Sequence, residues 1–240
     1  MKKKALITGA SGDIGCAIVK ILQSEYEIYA HTFQKKEFLK EQFQKEISNG
    51  MLHVIVADLS VKNGAQILLQ KIPSDMDLVI FCAGQEHYGL FVDTSEADYE
   101  RMMCLHLENP MKITQELLKS MILKRDGNII FISSIWGQLG ASCEVLYSTF
   151  KGAQNTFVKA LAKEMAPSGI RINAVAPGVV DTRMMNGFTD SECADLMEEI
   201  PMGRFAKPIE IAKAIQFLAS NDNSYMTGSI LTISGGWQIP

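Results

Sequence analysis

The 240-residue chain has no excess of positive charge: 23 Lys and Arg face 27 Asp and Glu, for a formal net charge of −4. That balance leaves no electrostatic footprint for nucleic acid as a partner. A long hydrophobic run is missing too. Nothing approaches the ~20 apolar residues that cross a bilayer, so no membrane partner is expected. Lys2, Lys3 and Lys4 imitate the start of a secretory signal, but Ala5-Leu6-Ile7-Thr8 stops at Gly9, too short for its apolar core. Cysteine is sparse: Cys16, Cys82, Cys104, Cys143 and Cys193 are odd in number, scattered and without C-x-x-C spacing. That argues against a disulfide framework or a cysteine metal site, and for reduced thiols in the cytoplasm. As small hydrophobes they suit burial. No linker, repeat or low-complexity stretch divides the chain, so residues 1–240 read as a single domain. Hydrophobic (47%) and charged (21%) residues stand in ordinary globular proportion. A chain of this length buries roughly 70–75% of its extended surface on folding.

What is present is an alternation of short apolar runs and amphipathic stretches. Strands are expected at 5–8, 28–32, 54–57, 78–81, 129–132, 172–175 and 230–233. Helices are expected at 14–22, 36–47, 65–72, 96–106, 110–124, 147–166 and 209–219, with a helical insert near 191–199. Strands apolar on both faces and separated by helices imply a buried parallel sheet. The expected fold is α/β: a Rossmann-type, doubly wound parallel sheet of about seven strands with helices on both faces.

Thr8-Gly9-Ala10-Ser11-Gly12-Asp13-Ile14-Gly15 falls between the first strand and the first helix. Free N–H groups and roughly half a unit of dipole charge at a helix start can face a pyrophosphate there. Gly9 suits the tight turn, Gly12 keeps a side chain away from the ligand, and Gly15 lets the helix pack closely on the sheet. Ser11, Asp13 and Ile14 complete the cofactor turn. An acid at the end of the second strand would hold a ribose 2′-hydroxyl and repel a 2′-phosphate. Here the run is His31-Thr32-Phe33-Gln34-Lys35-Lys36, with no acid before Glu37. Thr32 can hydrogen-bond, and Lys35 or Lys36 can neutralise a phosphate. Alternatively, the lysines are simply a solvated helix face. NADP(H) is favoured, with NAD(H) the alternative.

Tyr147 and Lys151 stand four apart in a helical stretch, which puts them on one face, one turn apart. A free Tyr titrates near 10, and a neighbouring cation draws that value down. The phenol can then exchange a proton with a carbonyl or alcohol oxygen. Six segments and the ending resemble, in their order, the short-chain dehydrogenase/reductase family. They are Thr8 to Gly15, Asp58-Leu59, Ala83-Gly84, Ile132-Ser133-Ser134, Tyr147-x-x-x-Lys151, Pro177-Gly178, and Thr227-Gly228 through Gly235-Gly236-Trp237. The resemblance spans essentially the whole chain. It implies that Tyr147 is the general acid, that Lys151 lowers its pKa and holds the nicotinamide ribose, and that Ser134 holds the carbonyl oxygen. Ser133 would have a backbone or packing role. It further implies that Asp58 and Leu59 border the adenine and that Ala83 and Gly84 pass the adenosine ribose. Pro177, Gly178, Val180 and Thr182 would meet the nicotinamide side. A loop cap is the alternative for Asp58. Apolar Phe157, Leu161 and Met165 on the long helix suggest a homo-oligomer, and the resemblance implies a homotetramer.

Departures from the family pattern are informative. His106 stands where most relatives have an Asn that helps hold a relay water; it can bind such a water and titrate near neutrality, or it can be a packed core residue. Phe81-Cys82 replaces the usual Asn-Asn. Gly12 stands where many members have Arg, and Asp13 where many have Gly. The insert at 181–208 is expected to cover the substrate, with Gly187 as hinge and Met184, Met185, Phe188, Leu196 and Met197 as adaptable apolar surface. A simple packed insert is the alternative. Within the family the chain resembles 3-oxoacyl-(acyl-carrier-protein) reductases, with Arg125 in a position beside the cleft that suits an acidic carrier. Ser168, however, stands where many carrier-dependent members have Arg. The run Ser133 to Gln138 and Gly140 to Val145 resembles the elongation factor P 5-aminopentanone reductase branch. There Glu144 would pair with a cationic arm and Trp136 would offer its face, or both would be loop packing. The expected substrate is a ketone, carried on acyl carrier protein or on elongation factor P. A nucleotide-binding regulator without chemistry would be expected to lose the Tyr or the Lys, and this chain keeps both.

Overall fold

The computed structural model describes residues 2–237. Its strands are β1 (Lys3–Thr8), β2 (Tyr26–Thr32), β3 (Leu52–Val56), β4 (Leu78–Phe81), β5 (Gly127–Ile132), β6 (Ile170–Pro177) and β7 (Ile230–Ile233). The helices are α1 (Asp13–Leu22), α2 (Lys36–Gln42), α3 (Gln44–Ser48), α4 (Gly64–Leu69), α5 (Glu96–Met103), α6 (Asn109–Lys124), α7 (Trp136–Leu139), α8 (Val145–Met165), α9 (Asp190–Glu199) and α10 (Pro208–Ala219). All seven strands pair in parallel in the order β3-β2-β1-β4-β5-β6-β7. The fold is the doubly wound α/β sheet that the apolar runs imply.

Side-chain alternation along each strand divides the core in two. Ala5, Ile7, Ile28, Ala30, Ile80 and Ile130 face α1, α2 and α10 through Ile18, Leu22, Leu39 and Ile215. Leu6, Tyr29, Val79, Phe81, Ile129 and Phe131 face α4, α6 and α8 through Leu68, Leu117 and Val158. Each fully buried Leu or Ile contributes about 1.5–3 kcal/mol. Strand order reverses between β1 and β4, and a doubly wound sheet opens its ligand crevice at the carboxyl ends beside such a reversal.

Three helix boundaries differ from the sequence expectation, and the helix expected at 65–72 ends at Leu69. The helix expected at 36–47 breaks at Phe43, whose backbone leaves helical geometry (φ −125°, ψ 33°) while its ring sinks into the core. The helices expected at 96–106 and 110–124 are continuous through a π-turn, Cys104–Glu108. Pro110 lies in the first turn of α6 and has no N–H for the carbonyl of His106. That carbonyl accepts a 2.7 Å hydrogen bond from Gln154 Nε2 instead. The short helix α7 has no counterpart in the sequence pattern. The insert forms a 3₁₀ turn, Arg183–Gly187, and α9, whose start is closed by a Thr189–Glu192 capping box. Its two roots are laced by a parallel bridge between Val180 and Ala206. Gly187 has an ordinary φ, and a Cβ there would meet nothing, so sterics do not require glycine at that point. No helix among the described residues is long and apolar enough to cross a membrane.

Candidate active site

The turn after β1 is held from three sides. Gly9 adopts φ +67°, and a Cβ on it would stand 2.7 Å from the backbone N and Cα of Ala83. Glycine is therefore required where the ends of β1 and β4 converge. Thr8 Oγ1 accepts the N–H groups of Cys82 and Ala83, both at 3.1 Å, fixing that approach. Gly9 N–H donates to His31 Nδ1 at 3.2 Å, so the proton of His31 sits on Nε2, which donates to Ala57 O at 3.0 Å. Burial holds His31 neutral, down to about 4. No side chain caps α1 at Gly12, which leaves its first-turn N–H groups for an outside anion. The turn thus fits a dinucleotide pyrophosphate.

The adjacent residues are placed less simply. Thr32 is buried, its hydroxyl shared between Ser11 Oγ at 2.7 Å and the N–H of Lys35 at 3.2 Å. It shapes the turn more than it offers a free donor. Lys35 is exposed and, together with Arg183, draws the Asp13 carboxyl down. Asp58 Oδ1 accepts from the N–H and hydroxyl of Ser60, so a loop cap is formed at the end of β3. The Leu59 side chain is sunk in the core, which leaves only its backbone to face a ligand. Pro177 ends β6, and Gly178, Val180 and Thr182 follow it, the N–H of Gly178 donating to Ile233 O at 2.9 Å.

Ser134, Tyr147 and Lys151 meet at the carboxyl end of β5. Ser134 Oγ accepts the N–H of Trp136 at 3.2 Å, and its hydroxyl faces the Tyr147 phenol as a hydrogen-bond partner. Lys151 is buried; its Nζ donates to Ile132 O at 2.8 Å and to Gln154 Oε1 at 3.3 Å, and lies 5.5 Å from the centre of the Tyr147 ring. Gly137 makes this placement possible, because a Cβ there would sit 2.6 Å from the carbonyl carbon of Lys151. Ser133 donates to the Lys151 carbonyl and so packs behind the site.

Electrostatics correct two expectations. Tyr147 is not drawn below its ordinary pKa: burial pushes it up, Glu144 and Glu86 push further, and only Ser134 opposes them. The phenol therefore stays protonated, as a proton donor must. Burial lowers Lys151 to about 8. His106, fully buried in the π-turn and edge-on to Tyr147, does not titrate near neutrality; burial and then the Lys151 charge take it down to about 3. Its Nε2 faces Gln85, 2.9 Å from the carbonyl O and 3.5 Å from the backbone N, and its Nδ1 has no hydrogen-bond partner among the described residues.

Two further expectations are revised. Trp136 is packed edge-to-face on Trp237 at 5.1 Å, within a cluster holding Ile200 and Leu196, so packing occupies the ring. Arg125 ends α6 two residues before β5 begins, at the opposite end of the strand from Ser134, with its guanidinium on Pro167 O. Six strand residues span about 20 Å. Residues the sequence did not single out are Thr8, His31, Gln154, Glu86 and Arg183. A buried polar residue one turn beyond Lys151 was a usable signal for Gln154; the others become visible only through tertiary approach.

Known proteins resemble this chain in sequence and fold. A model of the enoyl-(acyl carrier protein) reductase family matches residues 9–238. The uncharacterized oxidoreductase YmfI of Bacillus subtilis is 47% identical over 240 residues, 99% of each chain. The 3-oxoacyl-[acyl-carrier-protein] reductase FabG of Aquifex aeolicus is 31% identical over 231 residues, 96% of this chain and 86% of its own. Among solved structures, ElxO with NADP bound superposes with a TM-score of 0.89 at 29% identity, covering 99% of both chains.

Proposed function

We propose, for a chain that belongs to the short-chain dehydrogenase/reductase family, that it is an NADPH-dependent carbonyl reductase acting on a ketone with a cationic arm. The observation that carries the chemistry is the meeting of Ser134, Tyr147 and Lys151 beside an uncapped glycine turn. NADPH supplies a hydride when bound. The O–H of Ser134, beside the phenol, holds the ketone oxygen and steadies the negative charge that grows on it. Tyr147, kept protonated by its surroundings, gives its proton to that oxygen, and the alcohol results. The Lys151 ammonium offsets the phenolate left behind. His106 Nδ1, without a partner and beside Lys151, is placed to hold a water behind the lysine by a hydrogen bond.

Preference for NADP(H) is supported by the lack of an acid before Glu37, by Lys35 beside the turn, and by the NADP bound in ElxO. The cationic arm is supported by two carboxylates at the mouth. Glu144 precedes α8, Glu86 lies on the rim after β4, and their mutual repulsion adds to burial in raising Glu144. Both act on the Tyr147 phenol. An ammonium between them relieves that repulsion. This is the reading of an elongation factor P 5-aminopentanone reductase. A 3-oxoacyl-(acyl-carrier-protein) reductase is the second reading, favoured by the FabG relative. Against it, a carrier protein docked on Arg125 would stand about 20 Å from the Tyr147 of the same chain. NADPH oxidation on aminopentanone-modified elongation factor P, set against acetoacetyl-carrier protein, separates the two; preference for the carrier substrate overturns the first. The protein is cytoplasmic and homotetrameric in this reading. Phe157, Leu161 and Met165 pack partly against the core, whereas apolar Tyr99, Met111 and Leu123, exposed on α5 and α6, support the assembly, and light scattering measures it.

A further inference from the structure

Arg183 opens the 3₁₀ turn at the root of the substrate insert, yet most of its polar contacts are with the glycine turn some 170 residues earlier in the chain. Its backbone N–H donates to Asp13 Oδ2 at 2.8 Å, and its Nε donates to Asp13 Oδ1 at 2.9 Å and Oδ2 at 3.1 Å. Nη2 donates to the carbonyl of Ser11 at 2.7 Å. The guanidinium carbon also lies 5.7 Å from the centre of the Phe38 ring on α2. One side chain thus grips the cofactor turn through three acceptor atoms and rests on a third element. Planar, multidentate grip of this kind is what a guanidinium provides and an ammonium does not.

Asp13 has its own significance. It stands in the first turn of α1, where a pyrophosphate would come to the exposed N–H groups. A bare carboxylate at that point opposes a second anion, and a neutralised one does not. Burial alone would raise the Asp13 carboxyl, but the hydrogen bonds and charge of Arg183, with help from Lys35, outweigh it and keep the group ionised. The pair is partly exposed, with 41% and 30% of the two side chains open, so its strength lies in geometry more than in desolvated charge.

We propose that Arg183 is a positioning residue whose clasp on Asp13 and Ser11 fastens the substrate insert to the pyrophosphate turn and cancels the carboxylate that would otherwise oppose the cofactor. This rests on the NADPH-dependent reductase reading and adds to it a coupling between the two ligand sites. Cofactor binding and insert order are then linked, because anything that steadies the glycine turn steadies the root of the insert. Within the insert, no residue from 181 to 199 is buried, so beyond Leu196 against the Trp136–Trp237 cluster it is moored by the clasp and the bridge at Val180.

The test combines hydrogen exchange on the cofactor-free protein with NADPH titration of Arg183→Ala, Asp13→Asn and the double variant. Amides of residues 183–199 should exchange faster in all three variants, and circular dichroism should report an intact fold. NADPH affinity should fall roughly tenfold in Arg183→Ala, where the carboxylate is left bare, about 1.4 kcal/mol. The double variant should bind more tightly than Arg183→Ala alone, because the opposing charge has gone. Unchanged exchange in both single variants overturns the clasp. Faster exchange with unchanged NADPH affinity in Arg183→Ala overturns its role toward the cofactor. A wild-type protein that binds no NADPH sinks the reductase reading, while the exchange measurement still decides the clasp.

Discussion

The catalytic corner and the insert beside it are built in opposite ways. Lys151, His106 and Ser134 are buried and tied to backbone carbonyls and N–H groups of three different elements. The insert exposes Met184 and Phe188 and is moored at its roots. A rigid corner fixes the reaction, and a lightly held cover adapts to whatever carries the ketone. The same contrast explains why reaction class is firmer than substrate in this chain.

Breaking the rigid half should cost most. Lys151→Ala removes the ammonium behind the phenol and a cofactor contact together. Turnover should fall by at least the 10²–10⁴ expected for a lost proton donor, and NADPH binding should weaken. Normal NADPH binding by that variant would remove the second role.

The rim should respond more selectively. Replacing Glu86 and Glu144 together by Gln should raise KM for a cationic ketone roughly three- to tenfold, the scale of partly exposed ion pairs. KM for a neutral ketone should stay level. Equal effects on both substrates would mean that the carboxylates shape the loop and recognise no charge.

A smaller effect sharpens the contrast in stability. His31 and His106 are held near 4 and 3 when folded, against 6.5 when unfolded. Between those limits the unfolded chain binds more protons, so stability rises with pH there. Their contribution is complete above about pH 6.5 and is lost as pH falls through 4 and then 3. Each unit corresponds to about 1.4 kcal/mol. Urea midpoints should drop steeply below pH 6, and His31→Gln should flatten that slope; a slope equal to wild type would show His31 titrating normally in the fold.

Much of the corner was legible because local periodicity makes it. Tyr147 and Lys151 need only a helix to share a face, and Gly9 needs only a turn after a strand. The seven apolar runs likewise specify their strands by composition. What escaped depends on approach between distant segments. Arg183 meets Asp13 across 170 positions, and Glu86 acts on Glu144 only once the loop after β4 meets the loop before α8. The Phe43 break and the π-turn arise from competition between a helix and the core or a proline, which periodicity does not register. Tyr147 was misjudged for a related reason: spacing showed its cation and hid its burial and two carboxylates.

The most direct test is Tyr147→Phe, which removes one oxygen and leaves the ring in place. NADPH should bind as in wild type, and ketone-dependent NADPH oxidation should fall by roughly 10²–10⁴. Turnover equal to wild type would contradict the assignment of Tyr147 as the proton donor, and with it the account of the site.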